Sequence, residues 1–258
     1  MRRYIVALIL SAGMFPGCNG SPADSYESQN AHGLTAVHTT AMQGDLEKLE
    51  LLLYENQANP NVLDANGVAP LHRAARDGKM DVVLMLLTYD ALVDITTASG
   101  WTPLQLSIRD NQTDILKVLM REGANIHDNP PGERTLMDYA VRHQNTEIIK
   151  ILIENGRSVD SRLDDNQSLL NFALENKLWD FSLYLLTKDA DIRIKPILGQ
   201  PNLHIAVLNH NMSMVNALLN NGAEINERNR DGKTSLTLAL ELEDTLMFDT
   251  LTSLGGLQ

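Results

Sequence analysis

The sequence predicts an all-α repeat solenoid of about seven helix pairs, on three observations that share one period. Turn positions fall at Thr35, Ala69, Thr102, Thr135, Ser168, Pro201 and Thr234, spaced by 33 residues apart from one interval of 34. A fixed period of this length marks a stack of supersecondary units, each too small to bury its apolar face alone. Seventeen residues after each turn stands a leucine: Leu52, Leu86, Leu119, Leu152, Leu185, Leu218 and Leu251. One leucine at the same place in every unit sets a single apolar column down the core. Five residues after each turn the side chain is small, at Thr40, Ala74, Ser107, Ala140, Ala173, Ala206 and Ala239, so neighbouring helices can approach closely.

The elements follow in order. Each unit needs a turn between its two helices, and Gly44, Gly78 and Asn111 suit one because they tolerate a left-handed backbone. The later units carry Gln144, Lys177, His210 and Glu243 there, and for these the sequence gives no such warrant. The last helix is expected over 244–254. Asp249, Thr250 and Thr252 take positions that are apolar in inner units, as a polar terminal cap requires.

The segment Asn66-Gly67-Val68-Ala69-Pro70-Leu71-His72-Arg73-Ala74-Ala75 aligns with Ser99-Gly100-Trp101-Thr102-Pro103-Leu104-Gln105-Leu106-Ser107. These residues resemble the ankyrin repeat, whose pattern G-x-T-P-L-H-x-A-A precedes a leucine-rich second helix and a G-A-D-V-N turn. Ala124-Asn125-Ile126 and Asn221-Gly222-Ala223-Glu224-Ile225-Asn226 fit that final turn. The resemblance runs from about Gly33 to Gly256 and implies a helix-turn-helix plus a β-turn finger in each unit. It also implies that His38, His72 and His204 hydrogen-bond within and between repeats and are not metal ligands. Ala69 and Pro201 lack the threonine hydroxyl of that network.

Composition narrows the function. An apolar fraction of 43 % excludes disorder throughout, and aromatic residues at 5 % suit short amphipathic helices better than a β-sandwich. With 21 basic and 33 acidic residues the formal charge is -12, which repels phosphate backbones, so no nucleic-acid partner is expected. A single cysteine makes no internal disulfide and no multi-thiolate zinc site. There is no phosphate-binding glycine loop, nucleophile elbow or H-E-x-x-H helix, and acidic pairs such as Asp164-Asp165 read as solvated surface. The expectation is a binding protein, not an enzyme, with no cofactor and no metal.

The first residues read as an export signal. Arg2 and Arg3 form a positive n-region, and an apolar stretch from Tyr4 to Phe15 is too short to span a bilayer comfortably. Phe15-Pro16-Gly17-Cys18 resembles the lipobox of bacterial lipoproteins, departing from it at Phe15 and Pro16. That resemblance implies acylation of Cys18 and cleavage before it, with an ordinary secretory signal carrying an incidental cysteine as the alternative. Asn19, where an Asp would resemble an inner-membrane retention signal, tips the destination toward the outer membrane. The expected organisation is a signal peptide over 1–18, a flexible tether rich in Ser, Asn, Gly and Asp over 19–32, and the repeat domain over 33–258. The location is the bacterial cell envelope, lipid-anchored in the periplasm.

Ankyrin-like stacks bind through turn tips and the exposed side of the first helices, and this surface can be listed. Seven residues after each turn lie Met42, Arg76, Arg109, Arg142, Glu175, Leu208 and Glu241, so that Arg76, Arg109 and Arg142 form a basic ladder in adjacent units. Asp77 and Asp110 directly follow two of them and offer local pairing instead. The tips add Trp101, Arg134, Ile197, Leu198, Arg230 and Lys233. Trp and Arg are typical interface anchors, although Trp101 could equally cover a neighbouring finger. A protein partner of a monomeric chain is expected: a toxin capped by an immunity protein, a component of peroxide defence, or other envelope lipoproteins held by a scaffold.

Overall fold

The structure is a computed structural model describing residues 28–163, 167–194 and 200–257. The expected signal peptide, Cys18, most of the tether, and Ile197 and Leu198 lie outside the described residues. Seven helix pairs follow one another. They are α1 (Ala36–Gln43) with α2 (Leu46–Glu50, continued by a π-helical turn Leu51–Glu55), α3 (Pro70–Arg76) with α4 (Met80–Thr88), and α5 (Pro103–Arg109) with α6 (Thr113–Arg121). Then come α7 (Leu136–Arg142) with α8 (Thr146–Glu154), α9 (Leu169–Glu175) with α10 (Trp179–Thr187), α11 (Asn202–Leu208) with α12 (Met212–Asn220), and α13 (Ser235–Glu241) with α14 (Thr245–Ser253). The described stretches ahead of the first helices are irregular fingers of turns. The β pairing among the described residues is one antiparallel bridge, Arg162 with Ser168.

The first helices begin where the sequence supplies caps. Thr102, Thr135, Ser168 and Thr234 each accept a backbone N–H three residues on, satisfying a donor that the helix itself leaves unmet. Pro70 and Pro103 open α3 and α5, where a missing N–H costs nothing. At the other end the carbonyls of Met42, Arg76 and Arg109 accept side-chain donors from the next unit: Lys79 Nζ at 2.7 Å, Gln112 Nε2 at 3.4 Å and His143 Nε2 at 2.9 Å.

The leucine column is buried throughout, at most 1 % exposed from Leu52 to Leu251, and the small-residue column from Thr40 to Ala239 is equally closed. Burying one such leucine stabilises the stack by roughly 1.5–3 kcal/mol, so the column ties each unit to its neighbours. The single 34-residue interval also has a structural cause. Leu52 keeps its place in the column, but the buried Ala58 comes one residue later than its counterpart Ala91. The extra residue is absorbed as the π turn, closed by the Asn56 N–H on the Leu51 carbonyl at 3.2 Å.

The inter-helix turns of the later units, for which the residue types offered no warrant, are left-handed as in the early units: φ is 51° at Gln144, 57° at Lys177, 52° at His210 and 55° at Glu243, beside 76° at Gly44. The stack dictates the angle between paired helices, and it holds these L-residues where each costs roughly 1–2 kcal/mol. The end of the stack is also less polar than its cap pattern implies. Asp249 and Thr252 are exposed, yet so are Leu240, Leu246, Leu254 and Leu257. At the start, Gln29 Nε2 reaches the Leu63 carbonyl at 3.3 Å and Asn30 closes the first finger, so that finger begins before residue 33.

Candidate protein-binding face

Along the fingers, much of the polar chemistry is committed to joining units. The Thr35 N–H donates to His38 Nδ1 at 3.3 Å, which leaves the proton on Nε2 to reach the Val68 carbonyl of the next finger at 2.9 Å. His72 repeats the pattern with Ala69 N–H at 3.1 Å and the Trp101 carbonyl at 3.0 Å. The sequence reading of these histidines as structural holds, and the missing hydroxyl at Ala69 does not interrupt it because the backbone N–H suffices. Burial pushes both imidazoles below their ordinary pKa, against the raising effect of those carbonyls. Gln105 does the same work neutrally, its Oε1 accepting Thr102 N–H at 3.1 Å and its Nε2 facing the Asp128 carbonyl at 3.5 Å.

A second inter-unit ladder went unread in the sequence. Asn61, Asp94, Asp160 and Asn226 accept the N–H groups of Leu92, Asn125, Asp191 and Leu257 at 2.7, 3.0, 2.8 and 2.6 Å. Each acceptor lies 31 residues before its donor, and the four fall on the same 33-residue register. Extending the column search from apolar to short polar side chains would have found them. A third device shapes the finger turns. Asn30, Asp64, Thr97 and Asn229 each accept the N–H four residues ahead, whereas the corresponding places in the central fingers hold Pro130, Leu163 and Pro196. Burial pushes the Asp64 carboxyl up, but the Val68 N–H, the Arg73 guanidinium and the Asn66 N–H outweigh it and hold it below the usual range.

Against this committed background the residues facing outward can be judged. Arg76 pairs with Asp77 at 2.6 Å, the hydrogen bond that raises its pKa, and Arg109 pairs with Asp110 at 2.8 Å. The basic ladder is therefore largely neutralised at two of its three rungs. Arg142 is exposed and followed by His143 instead of an acid, so it keeps its field. Trp101, half-buried, lies under the Arg109 guanidinium, 5.1 Å from ring centroid to Cζ, and meets the edge of Tyr139 at 5.8 Å. The structure thus joins Trp101, Arg109 and Tyr139 into one aromatic–cation cluster across units 3 and 4. Tyr139 was not anticipated; its place four residues after Thr135 was its available signal. Among the described residues no three His, Cys, Asp or Glu side chains converge to hold a metal ion.

A family model of ankyrin repeats (3 copies) matches residues 5–97 and 37–130, and a second, of ankyrin repeats (many copies), matches 203–244. Together they cover well over half of the sequence. The chain belongs to the ankyrin-repeat family. The crystal structure of the human ASB11 ankyrin repeat domain is similar to it, at 26 % identity and a TM-score of 0.58 over 87 % of this chain and 100 % of that one. Ankyrin repeats are in general protein–protein interaction modules on a non-catalytic fold, so this chain carries an interaction fold.

In the ankyrin frame, Arg134 is an exposed residue of the fourth finger, immediately before the cap Thr135, while Ile197 and Leu198 belong to the sixth, outside the described residues. Glu175 and Leu208 are exposed on the same register as Arg142. Lys150 and Glu154, on α8, pack on Tyr184 of α10, with Lys150 Nζ 5.0 Å from the ring centroid and Glu154 Oε1 3.5 Å from the hydroxyl. They belong to the contact between second helices.

Proposed function

We propose that this ankyrin chain is a protein-binding module of the bacterial cell envelope, anchored by lipid on Cys18, that engages its partner through the first helices and fingers of its central units. The observation that supports this most is the Trp101–Arg109–Tyr139 cluster, with the exposed Arg142 one unit on in the register of Arg109, since an aromatic ring carrying a guanidinium is the chemistry of interface anchors. The Arg76–Asp77 and Arg109–Asp110 pairs do not remove those arginines from play. Exposed pairs are worth about 0–1 kcal/mol, so an acidic group on a partner can exchange with the aspartate. Arg134, exposed in the fourth finger, belongs to the same proposed face, and Ile197 and Leu198 remain candidates from the sequence alone.

A lipid-held monomer on a tether suits the capping of a toxin at the envelope, which is the role we carry forward; peroxide defence or scaffolding of other lipoproteins would use the same face. The test is capture from envelope extracts by the wild-type chain against a Trp101→Ala/Arg142→Glu variant. Recovery of the same proteins by both would overturn the assignment of the face. Recovery of a toxin, a catalase-associated protein or several lipoproteins separates the three roles.

A further inference from the structure

Large apolar side chains left outside the core gather on the second helices of the first two units. Leu51 and Tyr54 of the first are 44 % and 70 % exposed, and Leu84 on α4 is 45 % exposed. The π turn keeps Leu52 and Leu53 in the core while Leu51 and Tyr54 stay on its outer side. Burial, then Glu50 and Tyr54 of the first unit, push the Tyr89 hydroxyl of α4 up, so Tyr54 lies close to the second unit. Because α2 and α4 are packed neighbours, the three exposed side chains form one patch.

Further along the stack the same columns are polar: Lys117 and Arg121 in the third unit, Lys150 and Glu154 in the fourth, Asn216 and Asn220 in the sixth. In the fifth, Leu183 neighbours Tyr184, whose ring carries Lys150 Nζ at 5.0 Å and Lys188 Nζ at 5.5 Å. The exposed leucines of the last unit stand at the far end of the stack. The patch also lies where the chain enters the stack, since Gln29 Nε2 bonds the Leu63 carbonyl of the second finger. The eleven residues from Asn19 to Gln29 extend at most about 36–40 Å from Cys18. An anchor at Cys18 therefore keeps the first two units close to the bilayer.

We propose, resting on the Cys18 anchor, that Leu51, Tyr54 and Leu84 seat the stack on the lipid surface that holds it, at the boundary between headgroups and acyl chains. Tyrosine suits that boundary, with an apolar ring for the chain ends and a hydroxyl for the water. Glu47, Glu55 and Asp81 are exposed on the same helices, so the favoured surface is zwitterionic, not anionic. Seated this way, the second helices of units 1 and 2 meet the membrane. The first helices, with Arg109 and Arg142, form the other layer of the stack and stay open to a partner arriving from water.

A single acyl chain holds a protein to a bilayer only marginally, with a binding constant of about 10⁴ M⁻¹, so an added contact is readable as partitioning. The chain from Cys18 onward keeps every residue of the core, which begins at Val37, and its one thiol can be coupled to a single tetradecyl maleimide. On phosphatidylcholine vesicles the coupled Leu51→Gln/Tyr54→Ser/Leu84→Gln variant should partition at least about tenfold less than the coupled wild type, the equivalent of about 1.4 kcal/mol. Leu183→Gln with Leu246→Gln, exposed leucines of distant units, should leave partitioning unchanged. Phosphatidylglycerol mixed into the vesicles should lower wild-type partitioning, and melting curves establish that each variant folds. Equal partitioning of the folded triple variant and the wild type would overturn the proposal. So would an uncoupled wild type that sediments as a dimer and a triple variant that does not, since that gives the patch to a second copy. Fatty-acid labelling of Cys18 in cells judges the anchor separately: an unlabelled Cys18 rejects it, whereas the synthetic chain reads the patch either way.

Discussion

Two of the three buried histidines, His38 and His72, make the stack acid-sensitive in a way that can be bounded. His38 and His72 are fully enclosed and have pKa values lowered by burial, each with Nδ1 accepting a backbone N–H and thus required to stay unprotonated. Unfolding returns each imidazole to about pKa 6.5. The unfolded chain therefore binds more protons below that value, and the stability associated with neutral imidazole is present above it and lost as pH falls. A histidine that stays neutral in the folded stack loses at most about 1.4 kcal/mol between pH 7.5 and 5.5, so about 3 kcal/mol is the ceiling for the pair. Asp64, whose carboxyl is held low, contributes its own loss only further down, below about pH 4. The perturbation is His38→Gln with His72→Gln, because Gln105 already performs the same two hydrogen bonds in unit 3. Urea unfolding at pH 7.5, 6.5 and 5.5 measures the effect. The wild type should lose more stability than the double variant across that range, by up to about 3 kcal/mol. Parallel pH dependence in the two proteins would refute the protonation argument.

Two further outcomes follow from named residues. Replacing Lys177, at φ 57°, by Gly should raise stability by up to about 1 kcal/mol, and Glu243→Gly should act likewise, as read from denaturation midpoints; no gain would mean that the turn is unstrained. Cys18→Ser should move the protein from membrane to soluble fractions and abolish labelling by a fatty-acid analogue, and an unlabelled, soluble wild type would reject the anchor.

The fold was legible because its signals are columns. Leu52 to Leu251 and Thr40 to Ala239 share one spacing, and burial on one face forces that spacing on any sequence that stacks. Turn geometry was less legible, because Gln144 and Lys177 carry no local preference for the left-handed backbone that their paired helices impose. The polar ladder of Asn61, Asp94, Asp160 and Asn226 is periodic but made of residues common on any surface, so its meaning emerged only with the donors in view. On the proposed face, Asp77 and Asp110 announced the pairing that neutralises Arg76 and Arg109. The junction of Trp101 with Tyr139 links residues 38 apart in sequence and needed the stack to bring them together.

Affinity for the partner recovered from envelope extracts tests most directly whether the cluster of units 3 and 4 holds a protein partner. Trp101→Ala with Arg142→Glu removes the ring and reverses the rung that keeps its charge, while the bond from His72 to the Trp101 backbone carbonyl is left in place. Arg121→Glu, the same charge change on exposed α6, is the control, and a melting curve for each variant establishes that it folds. The Kd should rise at least about tenfold for the double variant, the loss of one anchor worth about 1.4 kcal/mol, and stay within error for Arg121→Glu. An unchanged Kd in a folded double variant would contradict the account and place recognition elsewhere on the stack.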